Sequence, residues 1–274
     1  MMPSIVIGAF TMYRNEVSIM RWMQNIICFL LLSVISLFIV KGKHNINKNK
    51  DKRNIITISM ALCFLILTFL FPGMEGVHRW VSLGFIRVNA AIIVLPLILI
   101  ALWHLVQTKG VKIGFTITIG IVLLLLFQPD ASQLTGFAIP AMIMLFSKVN
   151  SKTLRLLIAS IFSIFVISSW VYLDNLPPVD YVERIVYMVA NMGNLWLFLG
   201  IISLIILPLP FLLFPPKNAE LLSSCIGIYF IIVIISTLFG NFPVPLMGYG
   251  ISPIIGYFIS IIWYTNWQYS KFHV

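Results

Sequence analysis

LDNLPPVDYVER, running from Leu173 to Arg184, stands between two long apolar runs, Leu156–Tyr172 and Ile185–Phe214. It gathers Asp174, Asp180 and Glu183 into one short stretch of a chain that is only 9% charged. Pro177 and Pro178 exclude helix there, because each lacks an N–H and restricts the residue before it. Apolar runs of about 20 residues cross a hydrocarbon core of roughly 30 Å. The stretch therefore reads as a rigid loop between membrane spans. Its carboxylates are candidates for chemistry or for holding a cationic partner, and equally for ordinary solvated loop residues.

Composition agrees with that reading. The chain is 60% hydrophobic over 274 residues, with a mean hydropathy of +1.04, whereas soluble globules are nearer half apolar. The expected fold class is all-α: a polytopic helical membrane protein forming one transmembrane domain over residues 1–274. The formal charge of +10 does not imply nucleic acid, because most of it lies in short loops between spans, as cytoplasmic loops require. Cys28, Cys63 and Cys225 fall inside apolar runs and read as small buried hydrophobes, with no disulfide framework. His44, His78, His104 and His273 are scattered, so neither a metal site nor a cofactor is expected. No signal peptide is expected either.

About nine spans are legible, near 22–40, 54–71, 88–107, 112–127, 132–147, 155–173, 194–214, 221–240 and 251–265. Residues 1–21 are ambiguous, since Pro3 to Phe10 is too short to cross and Arg14, Glu16 and Arg21 interrupt the stretch after it. The loop KGKHNINKNKDKRN carries Lys41, Lys43, Lys48, Lys50, Lys52 and Arg53 against Asp51 alone, which marks it as inside. The same cations could hold anionic membrane lipids. Alternation then puts Lys109, Lys112, Lys148, Lys152, Arg155, Lys217 and Lys271 inside, with the C-terminus. The N-terminus and segments 72–87, 128–131, 174–193 and 241–250 fall outside. Glu75, Asp130, Asp174, Asp180 and Glu183 share that outer face, which suggests a negative outer cavity.

Three outer segments carry further signals. FPGMEGVHRWVSLGFIRVN pairs Arg79 with Trp80, which suits a membrane edge where an indole sits at headgroup depth and a guanidinium can fork onto phosphate. A simple interfacial anchor would read the same way. FQPDASQ places Asp130 where a helix opens, a capping position. GNFPVPLMGYGISPIIGY has the Gly and Pro spacing of an irregular backbone entering the membrane, tolerated only against protein or a wet cavity.

Taken in order, these motifs resemble the SEDS family of cell-wall proteins, which includes FtsW, RodA and SpoVE. GVHRWVSLG is similar to the family's NGARRWIxLG-like loop, QPDAS to its QPDxGT element, and FPVPLMGYGISPIIGY to its PFxSYGGSS element. The resemblance extends from about Ile55 to Tyr264. It implies a ten-helix fold that handles lipid-linked peptidoglycan precursor beside a single-span penicillin-binding protein, in cell division or cell-shape control, in the plasma membrane of a bacterium. Arg79, Trp80, Gln128, Pro129, Asp130, Tyr249, Gly250 and Ser252 match family motif positions. The chain also departs from the pattern. The family's first helix is absent or kept as a remnant in residues 1–21. VDYVERI stands where a TDFIF-like motif carries the catalytic aspartate, and RVNAAIIV lacks the Glu and Lys of PSExxK.

Two functions fit this pattern. A peptidoglycan glycosyltransferase would use Glu183 or Asp180 to deprotonate an acceptor hydroxyl, with Arg79, Arg87 or Arg184 clamping the diphosphate and Gln128, Asp130, Tyr249 and Ser252 lining the substrate site. The alternative is a binding, transport or partner-scaffold protein with a degenerate site. A small-solute transporter is disfavoured because no internal repeat is visible. Between the two acids, Glu183 is preferred. It adjoins the apolar run Ile185–Val189 and would sit on the first turn of any helix there, where burial and a helix end oppose each other in setting its pKa.

Overall fold

The computed structural model describes residues 1–41, 50–84, 86–174 and 176–269. The loop cations Lys43 and Lys48, His44, and the tail residues Lys271 and His273 lie outside the described residues. Twelve helices are present among the described residues: α1 (Met2–Arg14), α2 (Ile19–Lys41), α3 (Lys50–Leu67), α4 (Ala90–Lys109), α5 (Val111–Phe127), α6 (Ala131–Phe146), α7 (Lys152–Val171), α8 (Ile185–Ala190), α9 (Asn194–Ile205), α10 (Leu209–Leu213), α11 (Glu220–Ser236) and α12 (Ile251–Tyr269). Among the described residues, four segments are both long and apolar enough to cross a bilayer, Ile19–Val40, Asp51–Leu70, Ala90–Lys109 and Lys152–Val171. The all-α, polytopic expectation holds.

Burial decides which helix is central. Of the most apolar window of α4, 67% is buried, against 6% for α2, so α4 is the axis of the bundle and α2 faces its surroundings. Asn89 caps α4 by accepting from Ile92 N at 3.2 Å, and Leu95, Ile98, Leu99, Leu102 and Leu105 are fully enclosed. Close helix approach depends on small residues, as it does within membranes generally. A Cβ on Gly256 of α12 would lie 2.2 Å from the Ile92 carbonyl oxygen of α4. The α6–α11 seam adds a hydrogen bond, from the Tyr229 hydroxyl to Gln133 Oε1 at 2.6 Å.

The two ends of the bundle differ chemically. At one end Asp51 pairs with His104 at 3.2 Å and with Lys109 at 3.1 Å, and Arg155 Nε donates to Val149 O at 2.7 Å. At the other end the segments 71–89, 172–184 and 237–250 come together.

Several sequence expectations need correction. The span expected at 88–107 begins at Ala90, because Trp80–Leu83 (β1) and Ile86–Asn89 (β2) form an antiparallel hairpin with Trp80 opposite Asn89 and Ser82 opposite Arg87. The span at 194–214 is broken between α9 and α10, where Pro208 and Pro210 supply no N–H to continue the helix. The ambiguous first segment is a helix. At about 1.5 Å per residue α1 is too short to cross a bilayer, but it is tied in by Ser4 Oγ, which donates to Ser203 O at 2.9 Å. Of the three cysteines only Cys225 is buried, and Cys63 is exposed on the apolar surface of α3.

Candidate functional site

Arg79 organises the end of the bundle where the three segments meet. It immediately precedes β1, and its carbonyl accepts from Ala90 N at 3.1 Å, which closes the hairpin. Its guanidinium reaches into the turn after α5, where Nε donates to Gln128 O at 3.3 Å and Nη2 to Pro129 O. Nη2 also donates to the Asp174 carboxylate, and Nε lies 3.6 Å from Asp130 Oδ2. The three side chains are only 4%, 7% and 3% exposed, for Arg79, Asp174 and Asp130. Phe242 covers the guanidinium at 5.7 Å from its ring centroid. One buried cation thus stands against two buried carboxylates.

The QPD turn is built as a support. Gln128 Nε2 donates to Leu65 O at 3.1 Å and to Thr68 Oγ1 at 2.8 Å. Asp130 caps α6 by accepting from Gln133 N at 3.2 Å, and receives Asn89 Nδ2 at 3.5 Å.

The acid loop is held from two sides. Asp174 Oδ1 accepts from Leu176 N at 3.1 Å, which turns the chain ahead of the two prolines. Further on, Val244 N donates to Val182 O at 3.1 Å and Tyr249 N to Tyr181 O at 2.9 Å. This backbone pairing needs Gly248, where a Cβ would sit 2.4 Å from Val182 O. From α2, Asn25 Nδ2 donates to Gly248 O at 2.9 Å, Gly250 N donates to Asn25 Oδ1 at 3.0 Å, and the Tyr249 hydroxyl lies 3.0 Å from Gln24 Oε1. Ser252 Oγ accepts from Asn89 N at 2.8 Å, which joins the start of α12 to the end of β2.

Together these segments enclose a cavity of about 460 Å³, within the range that holds a drug-sized ligand. Its lining includes Glu75, Arg79, Trp80, Arg87, Asn89, Asp174, Glu183, Asn241, Tyr249 and Ser252. Glu183 Oε2 accepts from Val179 N at 2.7 Å, while Glu183 N donates back to Val179 O at 3.0 Å. Burial raises its pKa above the ordinary carboxylate value, opposed by the Val179 hydrogen bond and the Arg79 charge and assisted by Asp174.

The sequence-derived candidates therefore separate. Glu183, Arg79, Trp80, Arg87, Tyr249 and Ser252 line the cavity. Asp180 and Arg184 are exposed and outside it, because the Val179–Glu183 turn points Glu183 inward and leaves its neighbours in solvent. Gln128 and Asp130 stand behind Arg79 rather than on the cavity wall. Glu183 also precedes α8, which starts at Ile185, so it does not occupy that helix's first turn. Sequence reasoning passed over Asn89, and it named Asp174 among the acid-loop candidates without identifying the cation it holds. Asp174 stood in the acid loop, but its partner is 95 residues away, and Asn89 showed only as the residue before an apolar run.

No family model matches the chain, and no curated protein matches its sequence. Solved structures do match. A variant of the Thermus thermophilus rod shape determining protein RodA aligns at a TM-score of 0.67 and 15% identity, over 98% of this chain and 95% of that one. The unsubstituted Thermus thermophilus RodA gives 0.66 at 15% identity, over 99% and 95%. The chain has the RodA fold. A chain from a peptidoglycan synthase complex that coordinates polymerization and crosslinking matches at 0.65 and 15% identity, over 99% and 96%. The RodA likeness extends over nearly the whole chain, so the overall arrangement of its helices is that of one known membrane architecture.

Proposed function

We propose that this chain is a SEDS-type protein of bacterial cell-wall synthesis, which takes lipid-linked peptidoglycan precursor into the cavity beside Glu183 on the outer face of the plasma membrane. The observation that carries the reading is convergence. Polar groups from the hairpin, the acid loop and the segment before α12 meet in one cavity of a RodA fold, although Arg79 and Ser252 are far apart in sequence. Polar groups that enter a membrane domain mark functional paths.

In the glycosyl-transfer reading, Glu183 takes the proton of an acceptor sugar hydroxyl as that oxygen bonds to the anomeric carbon of the donor. The bond from that carbon to the lipid diphosphate breaks, and the diphosphate leaves with the electron pair. General-base help of this kind is worth roughly 10²–10⁴ in rate. The raised pKa of Glu183 makes it a better base than a solvated carboxylate. Arg87 is the diphosphate ligand. It is exposed at the cavity, where its Nη1 lies 3.2 Å from the Met74 sulfur, whereas Arg79 already serves two carboxylates and two carbonyls.

A second reading, binding without turnover, is favoured by the hydrogen bond that commits Glu183 Oε2 to its own loop. Strand formation from purified lipid-linked precursor separates the two. Wild-type polymerises and Glu183→Gln does not if the carboxylate is the base. Equal binding with no product from either protein establishes the second reading. The partner that fits a RodA fold is a single-span penicillin-binding protein, in line with the synthase complex among the matching structures. The positive-inside pattern orients the cavity outward and the C-terminus inward.

A further inference from the structure

A second recess lies away from the cavity, in the angle between α1 and the α8–α9 corner. It has a volume of about 410 Å³ and is lined by Phe10, Arg14, Asn15, Met188, Asn191, Met192 and Trp196. One wall is a stacked pair, Phe10 on Trp196 at 4.8 Å between centroids. Arg14 makes no hydrogen bond or ion pair with any described residue, so its guanidinium is available to a ligand. Asn15 spends its amide on Thr11 O at 2.9 Å and keeps its oxygen free, and the Asn191 side chain has no partner among the described residues. Glu16, on the next turn, is not part of the lining.

Depth identifies the ligand class. The rings of Tyr13 and Tyr187 are exposed and are the chain neighbours of Arg14 and Met188 in the lining, and Tyr13 lies edge-on to Trp22 at 6.1 Å. Such amphipathic rings gather at headgroup level. On the same two helices, α1 and α9, Val6, Leu195, Phe198, Leu199 and Ile202 are all exposed and all apolar. A cation at headgroup depth above an apolar ridge suits a molecule with an anionic head and acyl chains. The N-terminus of α9, with Gly193 as its cap, opens beside the recess and adds a positive dipole end to the Arg14 charge. The two methionines supply a wall that adjusts to variable chains.

We propose that this recess binds the phosphodiester headgroup of an anionic membrane phospholipid, with Arg14 as its cation and the Asn191 amide as a second donor. The bilayer is the source of the ligand, and the site is independent of the cavity at Glu183.

Native mass spectrometry of the full chain in detergent, with phosphatidylglycerol or phosphatidylcholine added, tests the proposal. Wild-type is expected to retain phosphatidylglycerol in preference to phosphatidylcholine. Arg14→Gln should lower phosphatidylglycerol retention about fivefold, the factor expected for one basic residue at a membrane surface. Arg14→Lys should keep most of it, and Arg184→Gln, an exposed arginine outside the recess, should change nothing. Arg14 is exposed and has no partner among the described residues, so these variants fold as wild-type, which a melting curve verifies. Equal retention by wild-type and Arg14→Gln overturns the proposal, as does an equal loss in Arg184→Gln. Displacement of phosphatidylglycerol by millimolar inorganic phosphate would assign the recess to a soluble anion and overturn it too.

Discussion

Arg79→Ala removes the guanidinium that lies against two buried carboxylates and two carbonyl oxygens. Solvent offers little relief, since the Arg79, Asp174 and Asp130 side chains are 4%, 7% and 3% exposed. Taking one partner from a buried charge cluster costs about 3–5 kcal/mol. The orphaned Gln128 and Pro129 carbonyls add to that, because an unmade buried hydrogen bond costs about 1–3 kcal/mol. A total of about 4–8 kcal/mol would lower the apparent melting midpoint by about 10–20 °C for a chain of this size. The assay is a thermal melt in detergent with a thiol-reactive dye on a background in which Cys28 and Cys63 are replaced by serine, so that the signal reports exposure of the buried Cys225. Arg79→Ala/Asp174→Asn should recover part of the loss, since it removes one of the uncompensated charges. A melting midpoint equal to wild-type would refute the structural role and return Arg79 to the pool of free substrate ligands. A double variant less stable than the single one would refute the pairing with Asp174.

Glu183→Gln should abolish strand formation, by roughly 10²–10⁴, and leave stability nearly unchanged, since the amide oxygen can still accept from Val179 N. With its pKa raised by burial, wild-type activity should fall on acidification at a pH above the usual carboxylate value. Stability runs the other way. A raised folded-state pKa means the ionised form costs stability, so wild-type gains on Glu183→Gln as pH drops through that value, and an unchanged stability difference across this window would refute burial as the cause. Arg87→Gln should weaken precursor binding about tenfold, the order expected for loss of one charge-assisted hydrogen bond, with no change in melting midpoint, and an unchanged affinity measured by titration sinks its assignment. Gly248→Ala forces a Cβ to within 2.4 Å of Val182 O and should cost on the order of 1–3 kcal/mol by overpacking, read as a lower melting midpoint together with reduced precursor binding.

The sequence by itself determined the membrane class, most helix positions and the segments that form the site. Apolar runs near twenty residues leave the chain little choice but helix, because unpaired backbone groups are too costly in hydrocarbon. Lys and Arg placement set the expected side of each loop, and the GYG segment stood out as irregular backbone. Element ends near prolines and at the hairpin were less legible, since Val88 and Asn89 run straight into the apolar stretch of α4 although they pair in β2. The break at Pro208 hid inside a continuous apolar run.

Only the tertiary structure decided which polar residues do what. Arg79 and Arg87 look equivalent in HRWVSLGFIRVN, yet one is buried against Asp130 and Asp174 and the other opens to the cavity. Asp180 and Glu183 sit three residues apart, and a single turn at Val179 sends one to solvent and the other inward. Asp174 gains its meaning from a guanidinium 95 residues distant. The physical reason is common to all of them. Hydrophobic burial is set by local composition and period, which a sequence displays, whereas the state of a charge is set by whichever groups the packed helices bring within a few ångströms of it.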